Sequence, residues 1–217
     1  MMNTDSARQQ MVEQQVRTWD VFDEDVLATM SAIPRDRFVP PAFAHCAYAD
    51  AEIPLAHGQC MLRPSIAGRI LQAVDLRPAD RVLEIGTGTG YLTACIAALS
   101  SSVVSIDIFD DFVVAATRRL ADENVQNADV SRMDAMVGLP AGAYDVVIIT
   151  SSMPRLDPRL VEALKPGGRL FVVLGESPVK TATLVTRSEG GATASQDLFE
   201  TDIPAIVARP AAPAFSF

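Results

Sequence analysis

The chain has 217 residues, 49% of them hydrophobic, which is enough to bury a substantial core and fits a single large α/β domain. Its formal charge of −9 argues against nucleic acid as a partner, because that binding depends on Lys and Arg contacts to phosphate. It has no run of about 18 apolar residues that would predict a membrane span, and its polar start does not look like a secretory signal. We therefore expect a cytoplasmic location and no membrane partner.

Cysteine and histidine are both scarce. The three cysteines, Cys46, Cys60 and Cys95, show no CxxC spacing, and the chain has only two histidines. The pattern predicts neither a disulfide framework nor a metal site.

The first 75 residues differ from the rest of the chain. Residues 8–17 read as a polar helix, and residues 23–32 as a second helix with apolar side chains at helical spacing. The segment 33–41 contains three prolines, which disfavour a helix at and just before themselves. A third helix is predicted at residues 65–74.

From residue 81 onward, short apolar runs alternate with helical segments. The runs predict four strands, at residues 82–85, 103–108, 146–150 and 170–174. Such continuous runs of Val, Ile and Leu are typical of strands buried on both faces of a parallel sheet. Three crossover helices are predicted between them, at residues 91–99, 111–123 and 158–164. This order predicts a doubly wound, mostly parallel α/β sheet.

Two further strands are predicted near the end of the chain. They span residues 181–187 and 196–203, and the turn 188–191 joins them. A short turn of this kind is typical of a hairpin, so the sheet is expected to have an antiparallel C-terminal edge.

Three glycines, Gly86, Gly88 and Gly90, occupy alternate positions between a predicted strand and a predicted helix. Without a Cβ, they let the backbone turn sharply and approach a ligand closely. Amides at the start of the following helix can then meet a carboxylate, such as that of a methionine moiety. Asp107 ends the next predicted strand, where a carboxylate can accept hydrogen bonds from both ribose hydroxyls of an adenosine.

The spacing of these glycines separates two classes of nucleotide site. Dinucleotide-binding enzymes carry GxGxxG, whereas this chain reads GTGTG two residues after Glu84, giving ExGxGxG. That pattern resembles the first motif of the Rossmann-like methyltransferases, which use S-adenosylmethionine and release S-adenosylhomocysteine. The turn 164–170, LKPGGRL, is similar to one that this family places before a later strand. Residues 133–135 fall where the family offers an acidic side chain and an amide to the adenine.

The resemblance implies a set of cofactor-binding residues. They are Glu84, Gly86, Thr87, Gly88, Gly90, Tyr91, Asp107, Ile108, Asp134, Ala135 and Thr150.

The N-terminal part narrows the resemblance. The segments MVEQQVR at 11–17, IPRDRFVP at 33–40 and AYAD at 47–50 resemble those of protein-L-isoaspartate O-methyltransferases. The likeness extends from about residue 11 to residue 203. It implies methylation of the carboxylate of isoaspartyl residues in damaged protein, a repair reaction with a protein or peptide substrate.

In the terms of that family, the chain divides into three parts. Residues 1–75 form an N-terminal helical extension with the active-site loop, residues 76–208 the Rossmann-like methyltransferase core, and residues 209–217 a flexible tail.

The active-site loop departs from the family pattern. The family typically reads GQTIS, then one residue and Pro, whereas residues 58–64 read GQCMLRP. Leu62 stands at the family's active-site serine and cannot supply its hydroxyl. Met61 and Leu62 also make the loop more apolar, which favours a different acceptor. No catalytic residue is therefore assigned, and the loop candidates are His57, Gln59 and Cys60.

The chemistry of the acceptor decides whether a base is needed. A carboxylate is already ionised near pH 7, so the protein has only to align the reactants and exclude water. A phenol, thiol or amine would benefit from a base, and His57 is the nearby histidine, although a loop histidine that only packs is the simpler interpretation. Cys60 lacks the His-Asp or His-Asn pattern that accompanies a nucleophilic cysteine.

Three hypotheses follow from the sequence. The first is an isoaspartyl methyltransferase, and the second is a related enzyme with another acceptor. The third is a non-catalytic module whose S-adenosylmethionine occupancy controls a partner. Residues 150–154, TSSMP, lack the Asn/Asp-Pro-Pro-Tyr motif of enzymes that methylate DNA adenine or glutamine. The oligomeric state is left open.

Overall fold

A computed structural model describes residues 4–207 of the chain, so the flexible tail predicted at 209–217 lies outside the described residues. Helix α1, Thr4–Gln10, continues through π-helical turns at Met11–Val16 and a 3-10 turn at Arg17–Trp19. Helix α2, Glu24–Ala32, follows, and the Asp23 carboxylate caps it by accepting hydrogen bonds from two amides of its first turn.

The polar helix predicted at residues 8–17 is present, and it buries its few apolar side chains. Met11, Val12 and Val16 are buried, with 0 to 2% of their surface exposed. The apolar side chains are few but fall on one side, so this segment packs inward despite its polar composition.

The segment from residue 33 to residue 63 is mostly irregular. It contains short 3-10 turns at Arg35–Arg37, Pro41–Cys46 and Ala56–Gly58. Two strands of two residues, β1 at Ile53–Pro54 and β2 at Cys60–Met61, pair antiparallel. The sequence analysis did not predict this hairpin. Helix α3, Pro64–Val74, then starts at a proline, whose fixed φ suits the first turn of a helix.

The remaining strands form one seven-stranded sheet. They are β3 Arg81–Ile85, β4 Ser102–Asp107, β5 Ala128–Arg132, β6 Tyr144–Met153, β7 Leu164–Glu176, β8 Val179–Arg187 and β9 Thr193–Glu200. Their order is β5-β4-β3-β6-β7-β8-β9; the first five pair in parallel, whereas β8 pairs antiparallel with both β7 and β9. The predicted fold class, a doubly wound and mostly parallel α/β sheet with an antiparallel C-terminal edge, is confirmed.

The connecting helices are α4 Tyr91–Leu99, α5 Asp110–Asp122 and α6 Pro158–Glu162. The helix predicted at 158–164 is shorter than expected, because Leu164 already belongs to β7. The last strand lies at Thr193–Glu200 rather than at 196–203. Strand β5 was missed, because its sequence ADVSR is half-buried and lacks a continuous apolar run.

The order of the sheet reverses at β3. This strand pairs with β4 on one side and with β6 on the other, and Ile85 lies opposite Ile106 and Ile149. The carboxyl ends of the three strands therefore meet at one edge. Ligands of open α/β sheets bind in the crevice outside the strands' carboxyl ends at such a point.

Both faces of the sheet are covered. On one face α2, α3, α4 and the π-helical segment share a continuous apolar core with the sheet, and α6 packs on the other face. Whether residues 1–75 act as a separate unit stays a prediction. None of the helices within residues 4–207 is long and apolar enough to cross a membrane, and the cytoplasmic location also stays a prediction.

Candidate active site

The glycine turn after β3 needs its glycines for conformation and for space. Gly86, Gly88 and Gly90 all have positive φ, at 100°, 54° and 86°. A Cβ on Gly86 would collide with the hydroxyl of Thr150 in β6. That hydroxyl donates to the carbonyls of Ile85 and Gly86, so the turn is tied to the neighbouring strand.

The Asp107 carboxylate at the end of β4 faces this turn. It accepts hydrogen bonds from the Gly88 amide at 2.9 Å and from the Phe109 amide at 3.1 Å. Asp107 is only 7% exposed, and burial raises the pKa of its carboxyl. Each oxygen keeps a further lone pair, so the carboxylate can still accept hydrogen bonds from ligand hydroxyls.

A cavity opens above the turn. Eight of the residues singled out from the sequence line it: Gln59, Cys60, Gly86, Gly88, Asp107, Ile108, Ala135 and Thr150. Met133, from the segment 133–135 singled out above, also lines it. Further lining residues were not predicted from the sequence, among them Leu55, Phe109, Phe112, Pro204 and Ile206. We call this cavity the first pocket.

The residues that were not predicted differ in whether the sequence could have indicated that they line the pocket. Phe109 and Phe112 are aromatic residues just after Asp107, and their position could have indicated an apolar wall beside that carboxylate. Pro204 and Ile206 carry no such signal. They reach the pocket because the backbone of residues 204–206 hydrogen-bonds with that of Ser152 in β6.

A second pocket adjoins the first one. The two share Cys60, Gly86, Gly88 and Thr150. The other residues that line the second pocket are Arg35, Met61, Leu62, Ala67, Thr87, Thr89, Tyr91 and Leu92. Thr87, Tyr91 and Leu62, all singled out from the sequence, therefore lie here rather than in the first pocket.

Glu84 was predicted to bind the cofactor, but the structure places it beneath the turn and outside both pockets. Its side chain is fully buried, and one carboxylate oxygen accepts hydrogen bonds from the hydroxyls of Thr93 and Ser105. The other oxygen has no hydrogen-bond partner, and burial raises the pKa of Glu84 to about 7. Since Ser105 also hydrogen-bonds to Thr87, this network braces the turn from below.

Gly90 and Asp134 also lie outside the two pockets. A Cβ on Gly90 would come within 3.2 Å of the Ala116 side chain, so this glycine allows α5 to pack closely. Asp134 lies beside Ile108 in a shallow depression outside the first pocket, and its carboxylate accepts a hydrogen bond from the Met136 amide. Their contacts with a cofactor stay predictions.

Comparison with known proteins identifies the family. Residues 6–207 match the family model described as Protein-L-isoaspartate(D-aspartate) O-methyltransferase. The chain belongs to this family. It is 36% identical over 184 residues to the protein-L-isoaspartate O-methyltransferase of Methanoculleus marisnigri, an alignment that covers 84% of each chain. The corresponding protein of Opitutus terrae is 37% identical over 185 residues, covering 84% of this chain and 79% of the other.

Solved structures give the same result for the fold. A Plasmodium falciparum protein assigned as a protein-L-isoaspartate O-methyltransferase, crystallised with S-adenosyl-L-homocysteine, superposes with a TM-score of 0.81. The match covers 92% of this chain and 98% of the other, at 20% identity, and it supports the fold alone. The family and the enzyme class predicted from the sequence are confirmed.

Leu62 marks the departure of this family member from the usual loop. Its side chain lines the second pocket together with Met61, and its carbonyl accepts a hydrogen bond from Arg35 at 2.9 Å. Met61 and Leu62 therefore give this part of the second pocket an apolar wall.

The remaining loop candidates, His57 and Cys60, have different surroundings. The His57 ring stacks on Phe109 at 4.0 Å, and its Nε2 lies 3.0 Å from Asp111 at the start of α5. These contacts fit a packing role. Cys60 lines both pockets, but burial, helped by the nearby Glu52, raises the pKa of its thiol to about 12, which disfavours a thiolate nucleophile.

Within residues 4–207 there is no group of three or more His, Cys, Asp or Glu side chains that could hold a metal ion.

Proposed function

We propose that this protein transfers a methyl group from S-adenosylmethionine to the carboxylate of isoaspartyl residues in proteins or peptides. The observation that carries the proposal is the junction of the two pockets at Cys60, Gly86, Gly88 and Thr150. A donor in one pocket and an acceptor entering by the other can meet at this junction. Family membership supplies the reaction class, and protein repair is the role that this reaction would serve.

The first pocket fits an adenosyl group. Asp107 offers lone pairs to two ribose hydroxyls, and Ile108, Phe109 and Met133 provide apolar walls for a flat base. Gly86 lines this pocket, and a side chain at that position would collide with the Thr150 hydroxyl that ties the turn to β6. These features support the cofactor contacts inferred for the turn and for Asp107.

The chain's own contribution to transfer is positional. When bound, S-adenosylmethionine supplies a methyl group on a positively charged sulfur. An acceptor carboxylate is ionised near pH 7, so no side chain has to remove a proton from it. Leu55 and Phe112 line the first pocket with apolar surface that excludes water, and the glycine turn fixes how the acceptor and the methyl group are aligned. This explains why the site works without a catalytic pair of side chains.

A methyl-transfer assay tests the proposal. The purified protein is supplied with S-adenosylmethionine and either an isoaspartyl peptide or the same peptide with ordinary aspartate. We expect methyl ester only on the isoaspartyl peptide. No turnover above a control without enzyme would remove the isoaspartyl assignment. Tight cofactor binding without product from any acceptor in a cell extract would instead favour a regulatory module.

The apolar loop favours a second candidate function, methylation of a different acceptor. Cys60 and Leu62 stand where the usual loop has Thr and Ser, so two hydroxyl groups are absent from the wall of the second pocket. The triple variant Cys60→Thr, Met61→Ile, Leu62→Ser rebuilds the usual loop. If the natural acceptor is different, this variant should create or raise isoaspartyl turnover. An unchanged rate would count against that candidate.

A further inference from the structure

Arg35, in the 3-10 turn Arg35–Arg37, carries a buried guanidinium without a carboxylate partner. Its side chain is 0% exposed. Nε donates to the Ala47 carbonyl and Nη2 to the Leu62 carbonyl, each at 2.9 Å, whereas Nη1 has no hydrogen-bond partner. Among the acidic residues of the described chain, none forms an ion pair with Arg35.

The other buried cations of the described chain are neutralised. Arg169 donates to an Asp80 carboxylate oxygen at 2.6 Å and to the carbonyls of Val74 and Asp75. Lys180 lies 2.7 Å from an Asp202 carboxylate oxygen. A buried cation left unpaired is costly in free energy. The exception at Arg35 therefore points to an anion that comes from outside the chain.

The surroundings of Arg35 leave its charge available. The guanidinium carbon lies 5.0 Å from the centre of the Tyr91 ring, which holds it by a cation–π contact. The Asp50 carboxylate acts electrostatically on Arg35, but it accepts hydrogen bonds from the Ser65 amide and hydroxyl at 3.0 and 2.9 Å. Burial lowers the pKa of Arg35, although an arginine stays protonated in proteins.

The position of Arg35 shows where such an anion would bind. Arg35 lines the second pocket, between Leu62 of the active-site loop and Tyr91 at the start of α4. We propose that Arg35 is the carboxylate-binding residue of the second pocket. This assignment rests on the proposed methyl transfer and deepens it.

Two ligands could supply the carboxylate. One is the amino-acid end of the cofactor, because the second pocket shares the glycine turn with the first. The other is the acceptor, because Leu62 of the active-site loop is part of the same wall. Both would form a charge-assisted hydrogen bond with the guanidinium.

The experiment compares the intact wild-type protein with Arg35→Met and with Arg37→Met as the matched control. Arg37 lies on the same 3-10 turn with an exposed side chain. Calorimetry measures the binding of S-adenosylhomocysteine and of 5′-methylthioadenosine, which keeps the adenosyl thioether but lacks the carboxylate. Steady-state kinetics measures KM for the isoaspartyl peptide.

If Arg35 holds the cofactor carboxylate, Arg35→Met weakens S-adenosylhomocysteine binding by about 10- to 100-fold and leaves 5′-methylthioadenosine unchanged. If it holds the acceptor, both affinities stay as in the wild type, and KM for the peptide rises by a similar factor. Arg37→Met changes none of these values.

Two results would overturn the assignment. An equal loss of affinity for both nucleosides in Arg35→Met would show that Arg35 only supports the loop. Unchanged affinities together with an unchanged KM would show that it binds no carboxylate. A wild-type protein that methylates no isoaspartyl peptide would refute the proposed function separately. In that case the binding of the two nucleosides alone tests the role of Arg35. An affinity for S-adenosylhomocysteine that is unchanged in Arg35→Met would then count against the assignment.

Discussion

At the scale of single residues, Glu84 combines full burial with an incomplete set of hydrogen bonds. Two hydroxyls donate to one of its oxygens, and the other oxygen has no partner. Because burial disfavours the charged form, the pKa of Glu84 is raised from its ordinary value of 4.5 to about 7. The Glu84 carboxyl therefore stays protonated in the native protein over a pH range in which it is ionised in the unfolded chain.

This difference predicts how stability depends on pH. Between pH 4.5 and pH 7 the native state binds more protons than the unfolded state, so the free energy of unfolding falls as the pH rises. The contribution of Glu84 to that fall is about 3 kcal/mol in total. In Glu84→Gln this contribution is absent, so the variant gains stability relative to the wild type at pH 8 but not below pH 4.5.

Urea denaturation of the two proteins at several pH values measures the effect. Glu189→Gln, at an exposed position in the turn between β8 and β9, is the control and should follow the wild type. Parallel pH profiles for the wild type and Glu84→Gln would show that Glu84 is ionised in the native protein at low pH.

At the scale of elements, the N-terminal helices pack closely against α3 at one glycine of that helix. Gly68 is buried in the middle of α3, where a Cβ would lie 2.7 Å from a methyl group of Val16. Met30 and Val21 would each be 3.3 Å away. The absence of a side chain at this position lets the π-helical segment and α2 pack directly on α3.

We expect Gly68→Ala to destabilise the protein. Overpacking a core costs about 1–3 kcal/mol, which exceeds the roughly 0.5–1 kcal/mol that alanine gains over glycine inside a helix. Val16 is β-branched and buried, so it has little freedom to move aside. Thermal and denaturant unfolding measure the change.

Gly138→Ala is the matched control for this substitution. A Cβ at Gly138 would meet nothing within 4 Å, and its stability should stay close to that of the wild type. Equal stabilities for the two variants would contradict the close packing inferred at Gly68.

At the scale of the whole molecule, distant parts of the chain build the first pocket. Leu55 comes from the N-terminal part, Gly86 and Asp107 from the sheet edge, and Ile206 from the end of the described chain. A ligand in this pocket contacts all of them, so it should stabilise the protein as one unit.

S-adenosylhomocysteine should therefore raise the melting temperature. At a concentration about 100 times its Kd, a ligand that binds only the folded state adds about 2.7 kcal/mol to the free energy of unfolding. Asp107→Ala should weaken binding by about 1–3 kcal/mol through the loss of hydrogen bonds to the ribose. Asp129→Ala, at an exposed position on the neighbouring strand β5, should bind as the wild type does.

Scanning fluorimetry across a ligand titration makes the comparison for the three proteins. No thermal shift in the wild-type protein at any concentration would remove the basis of the proposed function. A thermal shift in Asp107→Ala equal to that of the wild type would show that Asp107 does not contact the ribose. The proposal that the protein binds the cofactor would still stand.

The sequence by itself determined the features that depend on near neighbours. Apolar runs and helical spacing identified most of the sheet, and the spacing of Gly86, Gly88 and Gly90 with Asp107 indicated the nucleotide site. These patterns are readable because backbone conformation and burial repeat with the period of each element. Where the period was weak, as in β5, the prediction failed.

Only the tertiary structure decided which remote residues meet at the site. It brought Arg35 against Tyr91 and Leu62, folded residues 204–206 onto β6, and placed Glu84 beneath the turn rather than in a pocket. Contacts of this kind depend on how elements pack, and packing leaves no periodic signal in the chain. The physical reason is that a side chain's charge balance and burial are set by neighbours distant in sequence.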